Sequence, residues 1–210
     1  MLHELLDFFG KAICHQLEER SLQISGETLS VCARDTGIYI GIFSSLTYLH
    51  FSKRNKKITI PTIKVSLFLL LLMVPMMIDG LGSYLQLFES DNIKRLVSGT
   101  SFGLVLPYFL YPLLSSGSLE IDSEPCLKER KDFLVPLLVS LVLCVIIYRG
   151  VISYYLVDSV IILTVVVWLS LFTSKLFSSV SNFTVKSIFS ILVSVGVLTL
   201  LSILHNIVLN

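Results

Sequence analysis

Six stretches of this chain approach the length of apolar sequence needed to cross a lipid bilayer. A spanning helix takes roughly 20 mostly apolar residues. Runs near that length fall at 36–51, 61–80, 96–114, 133–148, 151–172 and 185–208. The first is slightly short, so its polar ends are expected to sit deep. Pro61 suits the first turn of the second run, and Pro107 and Pro112 predict a kink in the third. Composition agrees: 54% of the residues are hydrophobic and only 15% are charged, against about 25% charged in an ordinary soluble domain. The expected fold is an all-α polytopic membrane helix bundle of about six transmembrane helices, preceded by a short N-terminal interfacial helix. Residues 1–16 predict that helix because Leu2, Leu5, Leu6, Phe8, Phe9 and Ile13 are interspersed with His3, Glu4, Asp7 and Lys11 at helical spacing. They lack the basic start, unbroken apolar centre and cleavage site of a signal peptide.

Lysine and arginine set the expected orientation. They cluster after the first run (Lys53, Arg54, Lys56, Lys57), after the third (Lys128, Arg130, Lys131) and after the fifth (Lys175, Lys186). In a chain of six spans these loops share one face, predicted to be cytoplasmic, with both termini outside the cell membrane. The opposite face keeps Lys11, Arg20, Arg34, Lys94, Arg95 and Arg149, so the bias is moderate. The chain then divides into a motif-bearing half at 1–116, a charged cytoplasmic linker at 117–132 and a plainer half at 133–210. A formal net charge of +1 argues against a nucleic-acid surface. The sequence holds no Walker A loop, GxSxG elbow, HExxH helix or dinucleotide fingerprint.

Residues capable of chemistry gather at one end of the expected bundle. Cys14, His15, Cys32 and Arg34 precede the first span, Asp79 ends the second, and Asn92 and Arg95 begin the third. Alternating topology returns all of them to the outer face. Arg34, Gly37 and Gly41 share one helical face, as do Arg95, Gly99 and Gly103. Small residues four apart let membrane helices approach closely, and such packing would bring the two guanidiniums together above the contact. Adjacent cations need an anion. Asp79 supplies one charge, and a phosphate or carboxylate ligand is expected to supply the rest; snorkelling to lipid headgroups is the plainer use of either arginine. Cys14, His15 and Cys32 are candidate ligands for zinc or another transition metal, at a spacing that matches no standard motif. Cys14 and Cys32 equally suit a disulfide. Of the other cysteines, Cys126 is expected in a polar loop and Cys144 in the core. Asp158, about two turns inside the fifth span, either lines a path or pairs with a neighbouring helix.

The segments Cys14-His15-Gln16 and Arg20-Ser21, then Cys32-Ala33-Arg34 with Gly37, Tyr39 and Gly41, are followed by Asp79-Gly80, Asn92, Arg95 and Gly99. Together they resemble the signature of domain of unknown function family 2085, a group of small prokaryotic membrane proteins. The resemblance covers about residues 10–115. It implies a membrane protein with a shared polar motif and carries no activity with it.

Three function classes fit this reading. One is a metal- or thiol-dependent enzyme or binding protein for an anionic lipid or other amphiphile. Cys14, His15, Cys32 and Asp79 would then be the catalytic groups, with Arg34, Asn92 and Arg95 holding the substrate. Another is a small-solute or ion transporter or channel using Asp158 and the kinked third span. The last is a structural or assembly subunit stapled by a Cys14–Cys32 disulfide. Expected partners are the bilayer, an anionic amphiphile and further copies of the chain, and not nucleic acid.

Overall fold

The computed structural model of the protein describes residues 2–54, 56–114, 123–177, 180 and 182–209. Residues 117–122 of the expected linker therefore lie outside the described residues. The fold is helical, as expected. Among the described residues the helices are α1 (Leu2–Gly10), α2 (Ala33–Lys53), α3 (Ile63–Tyr84), α4 (Asn92–Leu114), α5 (Lys131–Tyr148), α6 (Tyr154–Leu176) and α7 (Phe183–Leu209). Helices α3 to α7 are long and apolar enough to cross a membrane. The chain groups into two compact units, Ala33–Arg149 and Met1–Cys32 with Gly150–Asn210. These units cut across the halves read from the sequence, because α5 packs on α2 while the N-terminal segment packs on α6 and α7.

In the unit Ala33–Arg149, α2 is the central element. It runs longer than its apolar stretch, 21 residues, and is less apolar than the other long helices because its neighbours cover it. Thr36, Ser44, Ser45 and Lys53 are all buried in it. Helix α3, by contrast, turns Leu67, Leu70, Leu71, Met77, Ile78 and Leu81 outward, as a lipid-facing helix does. The contact of α2 with α4 is backbone on backbone. A Cβ on Gly37 would overlap the Leu96 carbonyl, and one on Gly99 or Gly103 would overlap the carbonyl of Arg34 or Ile38. This is the close approach that small residues four apart permit. The hydroxyl of Ser45 crosses the same contact to the Leu104 carbonyl at 2.7 Å.

Within the described part of the expected linker, Lys128 to Lys131 are exposed while Cys126 and Asp132 are buried. Two short strands, β1 (Ile58–Thr59) and β2 (Glu124–Pro125), pair in parallel. They place Cys126 in a cluster with Leu49, Ile58, Leu69, Val105 and Tyr108, where it is fully buried. Pro112 has no N–H to give the Tyr108 carbonyl one turn earlier. The Cys126 thiol takes that carbonyl instead, at 3.3 Å. Burial pushes this thiol up to about 12, so it stays protonated and inert. Pro61 stands just outside α3 rather than in its first turn, and its carbonyl accepts the Ser66 hydroxyl at 3.1 Å.

The other unit contains strands that the helical reading did not anticipate. Strands β3 (Ser21–Ile24) and β4 (Glu27–Cys32) form an antiparallel hairpin. Ser25 and Gly26 both have positive φ, 54° and 87°, as a two-residue hairpin turn matching the twist of the strands requires. Leu22, Ile24, Leu29 and Val31 form its buried side. Helix α1 is amphipathic, with Leu6 buried and Leu2 and Leu5 exposed. Helices α6 and α7 pack antiparallel, Thr173 near the end of α6 bonding the Ser190 carbonyl near the start of α7 at 3.0 Å. Ser190, Ser194, Leu198 and Ser202 give α7 one buried, largely small-residue face.

The glycine contact predicts a sharp contrast. Gly99→Ala should lower stability by about 1–3 kcal/mol or more, the range for overpacking a filled site. Gly80→Ala, where a Cβ meets nothing within 4 Å, should leave it unchanged. Thermal unfolding of the two purified variants in detergent decides between them.

Candidate functional site

The residues singled out in the sequence fall into two groups. Arg34, Asp79, Asn92 and Arg95 belong to the unit Ala33–Arg149, and Cys14, His15 and Cys32 to the other.

In the first group, the glycine contact sets the geometry. Arg34 stands in the first turn of α2 with its own carbonyl against Gly99, one helical turn from Arg95 on α4. Asp79 approaches from α3. The Arg34 guanidinium grips it through Nε to Oδ2 at 3.0 Å, through Nη2 to the same oxygen, and through Nη2 to the Asp79 carbonyl at 3.3 Å. The Ser90 hydroxyl donates to the other carboxylate oxygen, and Ser98 reaches Oδ2 at 3.5 Å. Arg95 is 8% exposed and its charge also acts on Asp79. Asn92 opens α4 and is half-buried. Asp91, just ahead of it, caps the helix by accepting the Lys94 N–H at 2.7 Å. That backbone bond holds the Asp91 carboxyl below its ordinary value. The ensemble brings together side chains of α2, α3 and α4, with Arg34 bonded to Asp79 and the Arg95 charge acting on the same carboxylate.

The far end of the same unit holds a knot that sequence reasoning missed. Lys53, in the last turn of α2, is paired with the fully buried Asp132 at 2.9 Å. Tyr48 donates to the same carboxylate at 2.8 Å, and the backbone N–H groups of Lys128 and Glu129 reach it at 3.1 and 2.9 Å. Tyr108 donates to the Asp132 carbonyl at 2.6 Å. The sequence showed Lys53 only as part of a basic run and Asp132 as part of a charged linker. Neither carried a spacing signal for the pair.

In the second group, the structure brings Cys14 and Cys32 together. Their sulfurs lie within 4.8 Å of each other as separate thiols. The Cys32 N–H donates to Cys14 Sγ at 3.2 Å. His15 does not join them. Among the described residues it shares no such ligand group with the two cysteines; it is exposed, with its ring edge-on to His205 at 5.7 Å. Of the three expected ligands, Cys14 and Cys32 lie together and His15 stands apart from them. Gln16 takes up a left-handed backbone conformation, φ 53°, and its amide donates to the carbonyls of Asp7 at 2.9 Å and Ser30 at 3.0 Å. It ties the end of α1 to the hairpin and thereby fixes the chain around Cys14. Asp158 on α6 is fully buried and accepts the Ser30 N–H on both oxygens, at 3.3 and 3.2 Å. Asp158 thus anchors a strand, where the sequence reading offers a neighbouring helix as its partner.

The residues Cys14–Gln16, Cys32, Arg34, Asp79, Asn92 and Arg95 all fall in one stretch matched by a family model. That model describes a predicted membrane protein, DUF2085, and matches residues 14–109. An uncharacterised protein of Methanothermobacter thermautotrophicus is 36% identical over 94 residues, which is 45% of this chain and 80% of that protein. The chain belongs to the DUF2085 family. An uncharacterised protein of Methanocaldococcus jannaschii is 33% identical over 101 residues, 48% of this chain and 63% of that protein. The chain thus spans less than two thirds of the length of that relative. No solved structure matches the chain. The DUF2085 stretch ends before α5, so Asp132 and Asp158 lie outside it.

Two variants test these assignments. Asp79→Ala strands the Arg34 charge between helices and should cost roughly 3 kcal/mol, the low end for breaking a buried pair. Asp158→Ala leaves the Ser30 N–H without its acceptor and should cost about 1–3 kcal/mol, with hydrogen exchange at Ser30 and Val31 faster than in the parent protein. Unchanged exchange would remove the anchoring role.

Proposed function

We propose that this DUF2085 protein is a membrane protein that binds an anionic amphiphile, with Arg34 and Arg95 receiving its headgroup. One observation carries the reading: two guanidiniums act on a single carboxylate at the end of a membrane helix bundle. An ionisable group at membrane depth is costly and is normally matched by opposite charge. Here Asp79 is bonded to Arg34, and the charge of the buried Arg95 acts on the same carboxylate. Arginine suits the part because its planar fork takes phosphate or carboxylate oxygens in pairs. Ser98 and Asn92 stand on the same end of α4 and add hydrogen-bonding capacity beside the arginines. The loops rich in lysine and arginine lie at the opposite ends of the helices in sequence, which supports an outer-face location for this cluster and termini outside the cytoplasm.

Native mass spectrometry of the detergent-solubilised full chain tests the reading. Phosphatidylglycerol should bind more tightly than phosphatidylcholine. Arg95→Gln should weaken phosphatidylglycerol alone by about tenfold, equivalent to about 1.4 kcal/mol, the scale of one hydrogen bond to a charged group. Equal affinity for the two lipids, unchanged in Arg34→Gln and Arg95→Gln, would sink it.

A further inference from the structure

We infer that Cys14 and Cys32 form a redox-active dithiol, a site independent of the anion-binding reading. The two sulfurs are within 4.8 Å of each other. A disulfide sets them about 2.05 Å apart, so closure takes a local movement of side chains and of the short segment carrying Cys14. Coordination of a structural zinc ion normally needs four protein ligands. Two thiols at this separation are the set a disulfide needs.

The two thiols differ in ways that divide the work. Cys32 ends β4 and is half-buried, whereas Cys14 is 8% exposed. The more accessible Cys32 is the group that meets an external small-molecule disulfide. Its thiolate attacks one sulfur of R–S–S–R, forming a mixed disulfide and releasing one thiol. Cys14 then attacks Cys32 Sγ, releases the second thiol and leaves Cys14–S–S–Cys32. The protein gives up two electrons and two protons, and R–S–S–R is reduced to two R–SH. The Cys32 N–H that points at Cys14 Sγ at 3.2 Å favours a thiolate there. Gln16 holds the chain next to Cys14 on one side, and Asp158 holds Ser30 of the strand carrying Cys32 on the other. The bridge would close the 14–32 segment on a frame that is already fixed. The remaining cysteines provide internal controls, since Cys126 is fully buried and Cys144 lies buried within α5.

The test uses the full chain in detergent, equilibrated in buffers of varied ratio of reduced to oxidised glutathione and then tagged with a maleimide. Cys14 and Cys32 should lose tagging together, at one midpoint, and digestion should yield a peptide linked through both. Cys126 and Cys144 should tag at every ratio once the protein is denatured. In Cys14→Ser, Cys32 should instead accumulate as its mixed disulfide with glutathione. Separate mixed disulfides on Cys14 and Cys32 in the parent protein, or full tagging of both at every ratio, would overturn the assignment. So would an equimolar metal ion that both Cys14→Ser and Cys32→Ser release. That outcome would assign the pair to coordination, with Asp35, three residues after Cys32 in the chain, as the next ligand to replace.

Discussion

Helix α2 lies against α4 with no side chain between their backbones at Gly37, Gly41, Gly99 and Gly103, and the arrangement of the unit Ala33–Arg149 follows from that contact. In hydrocarbon there is no hydrophobic gain from bringing two helices together, so association rests on packing and hydrogen bonds. Four glycines allow the backbones to meet over more than two turns. They also expose carbonyl oxygens at the contact, which Ser45 and Thr100 use or cover. A helix so enclosed has little lipid-facing surface. That frees its sequence from the need to be apolar, and α2 carries Arg34, Thr36, Ser44, Ser45 and Lys53 where α3 carries leucine and methionine.

The same contact explains why the polar residues are useful where they stand. Arg34 and Arg95 sit three and four residues before glycines of the contact, so closing the helices carries both guanidiniums to one place. Asp79 then approaches from α3, whose only other buried residues are Leu69 and Gly82. At the opposite end Lys53 and Asp132 fix α2 to the start of α5, and Tyr48 and Tyr108 reinforce the join. Each end of α2 is thereby held by an ion pair rather than by lipid contact. Helix α2 is therefore fixed to its neighbours although its composition alone would not place it in a membrane.

Much of this was legible in the sequence. The helices follow from the apolar runs, and the α2–α4 contact follows from the spacing of Arg34, Gly37 and Gly41 against Arg95, Gly99 and Gly103. The approach of Asp79 to Arg34 follows from topology. The hairpin was missed although its signals were present. Ser25-Gly26 is a turn dipeptide, and Leu22, Ile24, Leu29 and Val31 alternate around it; the shortness of the segment and its polar flanks disguised them. The roles of Cys126, Asp132 and Asp158 were not legible. Each depends on a partner far along the chain whose identity is set by tertiary packing. Cys126 answers a carbonyl left open by Pro112, and Asp158 answers a backbone N–H of residue 30. Neither pairing has a sequence period. His15 illustrates the reverse error: adjacency to Cys14 suggested a shared ligand set, but neighbouring residues in an irregular segment need not point the same way.

The two ends of α2 are each fixed by a carboxylate from another helix, with different donors around it. At Lys53 one cation meets one anion, and the Asp132 oxygens also receive a tyrosine hydroxyl and two backbone N–H groups. That end needs nothing from outside, and burying it asks only for good geometry. At the other end the Asp79 oxygens receive the Arg34 guanidinium and the hydroxyls of Ser90 and Ser98, and the Arg95 charge also acts on them.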